Sequence, residues 1–339
     1  MNAAIQQTMT KSGTNDSCAI AMIGKTSKRD VRQLDLASSI PFFLIHVAVV
    51  AVLWTGYSRT ALIVCLATYA VRMFGITAGF HRYFSHRSYK TGRIFQFMLA
   101  WAGASSAQKG VLWWAAHHRH HHANSDKEAD VHSPVLRGFW WSHAGWFLCN
   151  EFDNTRVDLI SDLVRFPELR FLNRWHALPP FVLAGALLLL GSGLNRFHPD
   201  LGTSGAQMLV WGFCISTVAV YHATFSVNSL AHVFGTRTFS TTDDSRNNPI
   251  VAFFTFGEGW HNNHHFSPSL ECQGLEWWEI DITHYILRLL SFAGLVWDLR
   301  TRSPLRTTQQ SMYQNCIKTP SEQTLGDPES AKAASRSCQ

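Results

Sequence analysis

Charge is what this sequence has least of. Of its 339 residues, 29 are Lys or Arg and 23 are Asp or Glu, 15% in all, against about 25% in an average soluble domain. With 46% hydrophobic residues the chain is still too apolar to be a disordered polyelectrolyte. The seven Cys are scattered and form no CxxC, so neither a disulfide scaffold nor a thiolate metal site is expected. The N-terminus (MNAAIQQTMTKSGTNDSC) lacks a basic start followed by a long apolar run, so no secretory signal is expected. No repeated Glu-x-x-His occurs, which argues against a ferritin-like carboxylate centre. No repeat of solenoid period is present either.

What is abundant is apolar sequence in blocks. Runs at 38–55, 60–80, 177–194 and 207–227 are each near the roughly 20 residues that cross a bilayer as a helix. A shorter run, 94–107, suits a re-entrant or interfacial helix as well as a span. The links between paired runs carry one basic residue each, Arg59 and Arg196, while most other Lys and Arg lie in the N-terminal region, the 81–175 segment and the C-terminal region. The positive-inside rule then puts both termini and the polar segments on the cytoplasmic side. The net charge of +6 follows from this topology and implies no nucleic-acid partner. Residues 1–37 read as a flexible tail and residues 301–339 as a disordered one around a 38–300 membrane domain.

Histidine is the other excess. Ten of the 18 His fall in windows 81–86, 117–122 and 261–265. His261, His264 and His265 have i, i+3, i+4 spacing, which projects three imidazoles from one helix face. In the second window two registers share that spacing: His117, His120 and His121, or His118, His121 and His122. Spacing alone does not choose between them. His81 and His86 are five apart, about 140° off on an ideal helix, so they share a site only if the helix ends or bends. His232, in Asn228-Ser-Leu-Ala-His232, follows the fourth run as the first window follows the second. Eight or nine imidazoles exceed the four ligands of a zinc site and fit two ions. Imidazole-only sets suit iron among others. Metal transport would put ionisable groups inside the spans, and here only His46, Arg72 and His222 lie there.

HRYFSH, HRHHH and HNNHH resemble the three histidine boxes of membrane fatty-acid desaturases. GITAGFHRYFSH, NSLAHVFG and GEGWHNNHH resemble more narrowly the stearoyl-CoA desaturase-like, delta-9 branch, over about residues 38–300. The resemblance implies an all-α integral membrane protein: four transmembrane helices under a cytosolic helical cap that holds a di-iron site. It selects His118, His121 and His122. The implied iron ligands are His81, His86, His118, His121, His122, His232, His261, His264 and His265, with Asn228 reaching a metal through water. His117 and His120 are then extra, as second-sphere or water-facing groups. His132 and His143 are expected to make structural hydrogen bonds. Gln108, Trp114 and Thr224 match positions near the bend of a substrate tunnel.

The implied reaction is O2-dependent insertion of a cis double bond, delta-9 by the branch, into a saturated acyl chain. Two Fe2+ ions are the cofactor and O2 the co-substrate. A membrane di-iron hydroxylase is the alternative that shares such boxes. No fused HPGG heme-binding motif is present. Two electrons would therefore come from a separate donor, such as ferredoxin or cytochrome b5 with its reductase. In the animal acyl-CoA members that the chain resembles, CoA-contacting Arg-Lys and Arg-Asp pairs stand where this chain has Asn150-Glu151 and Ala116-His117. The carrier, CoA or membrane lipid, is therefore open. A bacterial cytoplasmic membrane is favoured over the endoplasmic reticulum.

Overall fold

The computed structural model describes residues 35–301. The expected tails, 1–37 and 301–339, lie outside the described residues apart from their inner edges. Four helices are long and apolar enough to cross a membrane, Ala37–Thr55, Arg59–Ser85, Leu178–Phe197 and Gly205–Val233, and they coincide with the four expected runs. The protein is a mostly helical integral membrane protein.

Each span starts where local chemistry allows. Helix α1 (Leu36–Ala48, continued by a tighter turn at Val49–Ala51 and a last α-helical turn at Val52–Thr55) is capped by the Asp35 carboxylate, which accepts from the Ala37 N–H at 3.0 Å. Helix α2 (Arg59–Phe74) is capped by Ser58, whose Oγ accepts from the Ala61 N–H at 3.1 Å. Such caps satisfy helix N–H groups that have no partner within the helix. Exposed Leu53, Trp54, Leu66 and Leu189 form part of the lipid-facing surface. Inside the bundle the Thr68 hydroxyl bonds the Gly212 carbonyl at 2.8 Å. The buried Arg72 donates to Thr217 Oγ1 at 2.6 Å, to the Ser216 hydroxyl and to the Thr68 carbonyl. These polar contacts pin two spans where water offers no alternative.

Two of the spans are longer than a bilayer requires, 27 residues in Arg59–Ser85 and 29 in Gly205–Val233, against roughly 20. Their ends therefore stand clear of the apolar layer and carry His81, Asn228 and His232 with them. The end of the first continues α2 as a π-helix, Gly75–Ser85. Its i→i+5 bonding is seen in the His86 N–H donating to the His81 carbonyl at 3.1 Å.

Helix α3 (Arg93–Ala104) is 12 residues long, too short to span, and packs along the π-helix. The fit depends on glycine: a Cβ at Gly75 would lie 2.5 Å from the Gly103 N. Helix α4 (Val111–Asn124), helix α5 (Pro167–Arg174) and the segment around Ile160 complete one apolar core with Phe80, Phe84, Leu99, Leu112, Leu169 and Leu172. Burying side chains of this size contributes about 1.5–3 kcal/mol each. Helix α6 (Leu178–Phe197) and helix α7 (Ser216–Val233) follow, then the short helices α8 (Pro249–Phe254) and α9 (His261–Phe266), and α10 (Ile282–Phe292). A two-residue antiparallel pair, β1 (Lys90–Thr91) with β2 (Val296–Trp297), ties the segment after α10 back to the cap.

Candidate metal centre

The cap brings nine histidines into two adjoining clusters. His81, His86, His118, His122 and His264 form one, and His121, His232, His261 and His265 the other, with ligand atoms in each within 4.8 Å of one another. The five-His cluster has Nε2 atoms paired at 3.0 Å (His81 and His264), 2.8 Å (His86 and His118) and 2.9 Å (His122 and His264). In the four-His cluster His232 and His261 approach at 3.1 Å. The rings of His122 and His265, one from each cluster, are 4.5 Å apart.

Local geometry explains each contribution. The five-residue step from His81 to His86 is aligned by the π-helix, where an α-helix would split the pair. The bend the sequence required is thus a change of helix type. On α4, His118 and His122 are one turn apart and serve the five-His cluster, while His121 serves the other. On α9, His261 and His265 serve the four-His cluster and His264 the five-His cluster. Each box is therefore shared between the clusters rather than presented to one ion. Tight packing precedes α9: a Cβ at Gly259 would lie 2.0 Å from the Ala252 N, and Gly257 has φ +119° with Asp281 against it.

The register at 117–122 also has a physical outcome. His118, His121 and His122 converge. His120 turns outward to the Ala129 carbonyl at 2.9 Å, and His117 is buried against Trp113 with no hydrogen bond at either ring nitrogen. His143 bonds Ser229 Oγ at 2.8 Å and His222 at 2.9 Å, as expected of a structural residue. His132 does not fit that expectation, since its Nδ1 is buried without a partner.

Outside the clusters stands a ring of carboxylates that the sequence did not reveal. Asp130 bonds His121 Nδ1 at 3.0 Å, Asp126 bonds His232 Nδ1 at 3.0 Å, and Asp243 bonds His265 Nδ1 at 2.7 Å. Glu258 contacts His81 Nδ1 and is held in turn by Arg82 at 3.0 Å and Gln273 at 2.7 Å. Arg82 also forks onto Asp281 with two bonds of 3.0 Å. A carboxylate on Nδ1 fixes the tautomer and aims Nε2 inward, the arrangement of metal-bound imidazole. The only sequence hint was proximity: Asp126 and Asp130 follow the second box, and Glu258 precedes the third.

Electrostatics agree. Burial, reinforced by neighbouring imidazoles, holds His86, His118, His122, His261 and His264 well below the ordinary imidazole value, so they are neutral donors. Against the upward pull of burial, His121 and His132 keep Asp130 far below the carboxylate range; with burial opposing, His232 brings Asp126 to about 2. At His121 burial is outweighed by Asp130, Asp126 and Asp243, which raise it. That pocket favours a positive charge. Convergent nitrogens, backed by ionised carboxylates and by a buried unpartnered Nε2 on His265, fit metal cations.

Two cavities meet at the centre. The larger, about 210 Å³, is lined by Phe42, Gln108, Trp114, Phe147, Thr224 and Phe225 among others. A smaller one, about 40 Å³, lies against His81, His118, His121 and His261, with Met73 and Ile76 in its wall. They share Trp114, His118, Thr224 and Asn228. At this neck Gln108 donates to Thr224 Oγ1 at 3.1 Å and Trp114 stacks on His118, with centroids 5.0 Å apart.

The sequence model of the fatty acid desaturase family matches residues 57–298. The sn-1 stearoyl-lipid 9-desaturase of Anabaena variabilis is 35% identical over 271 residues, 79% of this chain and 94% of that one. An acyl-CoA 5-desaturase of Anemone leveillei is 34% identical over 266 residues, 77% and 78% of the two chains. The chloroplastic palmitoyl-monogalactosyldiacylglycerol delta-7 desaturase of Arabidopsis thaliana is 38% identical over 239 residues, 68% and 59%. The chain belongs to the fatty acid desaturase family of oxidoreductases. Its relatives' names differ in acyl carrier and in double-bond position.

Proposed function

We propose that this protein is an O2-dependent desaturase that inserts a cis double bond at the delta-9 position of a saturated acyl chain, carried as a glycerolipid ester or a CoA thioester. The supporting observation is that two histidine clusters adjoin the neck shared by two cavities. Two iron ions, held by His81, His86, His118, His122 and His264 and by His121, His232, His261 and His265, would supply the O2-derived oxidant that breaks unactivated C–H bonds. Asn228, which lines both cavities, would contribute through water.

A saturated chain has no polar handle near its reacting carbons, so the residues around it must orient it, and orientation can supply several kcal/mol of a barrier. Trp114, stacked on His118, limits how the chain passes the metals. The Gln108–Thr224 bond closes the neck around a chain that must bend to pass. Met73, Ile76, Trp114 and Val227 offer the reacting methylenes apolar contacts beside the clusters. Desaturation takes two hydrogens from adjacent carbons, two electrons from a separate donor protein, two protons and O2, and releases the alkene and two waters. The reading places the cap and both termini on the cytoplasmic face of a bacterial membrane, in keeping with the Lys and Arg distribution.

The test is expression in a host that lacks unsaturated fatty acids, with lipids analysed by gas chromatography–mass spectrometry. The expected product is a delta-9 monoene, absent for His264→Ala although that variant stays in the membrane. Hydroxylated chains alone, or monoene from His264→Ala, would refute the proposal.

A further inference from the structure

One wall of the larger cavity carries polar atoms that the described residues leave unsatisfied. Trp146 Nε1, both ring nitrogens of His117 and Nδ1 of His132 are buried and make no hydrogen bond. Relative exposures of 7%, 4% and 4% put all three residues beyond nine-tenths burial, and all three line this cavity. They form one group: the His132 ring lies 5.2 Å and the His117 ring 5.8 Å from Trp146, which stacks on Trp113. Two neighbouring tryptophans are satisfied. Trp113 donates to the Phe152 carbonyl at 2.6 Å and Trp141 to the Val131 carbonyl at 2.9 Å.

A buried donor without an acceptor is costly and uncommon. An indole N–H only donates, and an imidazole carries at least one N–H in any tautomer. The missing partner is therefore a hydrogen-bond acceptor that arrives with the ligand. The rest of the lining mixes aromatic side chains with polar ones such as Gln108, Lys109 and Asn228, and the acceptor that every acyl substrate carries is the carbonyl joining chain to carrier.

We propose that Trp146 and His117, with His132 beside them, form a carbonyl-anchoring subsite for the ester or thioester of the acyl substrate. This rests on the acyl-desaturase reading. Anchoring the carbonyl fixes how many methylenes separate it from the neck at Trp114, so the subsite sets the double-bond position by counting from the carboxyl end. Trp146 and His117 are positioning residues: they act on a carbonyl that does not react.

The test compares Trp146→Phe, His117→Phe and His117→Gln, the last retaining a donor, in membranes supplied with stearoyl glycerolipid or with stearoyl-CoA. Double-bond positions are read by mass spectrometry of dimethyl disulfide adducts. The wild type is expected to give one position. Both Phe variants should spread product over neighbouring positions and raise the half-saturating substrate concentration at least tenfold, and His117→Gln should restore both. A change with only one carrier identifies ester or thioester as the anchored group. Unaltered position and saturation in both Phe variants overturn the proposal while leaving the desaturase reading intact. Lack of any product from the wild type overturns that reading instead.

For a variant that makes no product, the thermal shift of the purified iron-loaded protein with methyl stearate is compared with that for octadecane. The wild type should prefer the ester and the variant should not. Equal shifts in the wild type mean that water alone fills the subsite, and the proposal fails.

Discussion

Replacing Asp130 by Asn tests whether the carboxylate ring supports two separate metal sites. Asp130 is fully buried. Its oxygens lie 3.0 and 3.1 Å from His121 Nδ1 and also accept from the Asp126 N–H at 2.9 Å and the His132 N–H at 3.2 Å. Asn keeps the shape and one oxygen. It removes the negative charge behind His121, and its NH2 faces an N–H that then has no acceptor. Loss of such a partner lowers metal affinity about 10–100-fold, or about 1.4–2.8 kcal/mol. The stranded donor removes about 1–3 kcal/mol of folding stability.

Of the two histidine clusters His121 enters only the four-His one, so the affinity loss should fall on one ion. Anaerobic Fe2+ titration of metal-free protein, with iron counted per chain, should show one tight and one weakened site in Asp130→Asn. Glu258→Gln should weaken the other site through His81. Equal weakening of both sites by Asp130→Asn, or a titration superposing on wild type, would refute the division into two clusters.

Further consequences follow from the same contacts. His120→Ala should retain most activity and His121→Ala none, measured by product formation in membranes at matched protein level, because only His121 enters a cluster. Arg82→Met leaves Glu258 and Asp281 buried without their cation; a loss of about 3–5 kcal/mol is expected, read as a lowered thermal midpoint at fixed iron. Gly75→Ala forces a methyl toward the Gly103 backbone and should cost about 1–3 kcal/mol by overpacking. It should also disturb His81, six residues on. Thermal unfolding and iron content check both effects.

The four spans were legible because hydrocarbon thickness dictates the length of an apolar run, and the structure keeps those runs as helices. The 94–107 run was ambiguous for the same reason, its length fitting neither a span nor a loop; close glycine packing against the π-helix gives it a place. The histidine clusters were legible as His-rich helical spacing at 117–122 and 261–265. Their division between clusters was not, because i, i+3, i+4 spacing describes one helix face and does not say that two neighbouring ions share it. His81 and His86 show the limit of periodicity: a 100° rule separates them, and a π-helix unites them. The carboxylate ring was hidden because Asp243 reaches His265 from 22 residues away and Asp126 reaches His232 from 106. The unsatisfied atoms of His117 and Trp146 belong to packing and carry no sequence signature.

The measurement that bears most directly on the whole account is the metal content of the purified protein. Mass spectrometry of protein isolated from iron-replete cells should find two iron ions per chain. His264→Ala, which alters the five-His cluster, should retain about one and desaturate nothing. A single ion per chain, a metal other than iron, or two ions still bound after His264→Ala would contradict an account in which nine histidines hold a di-iron centre.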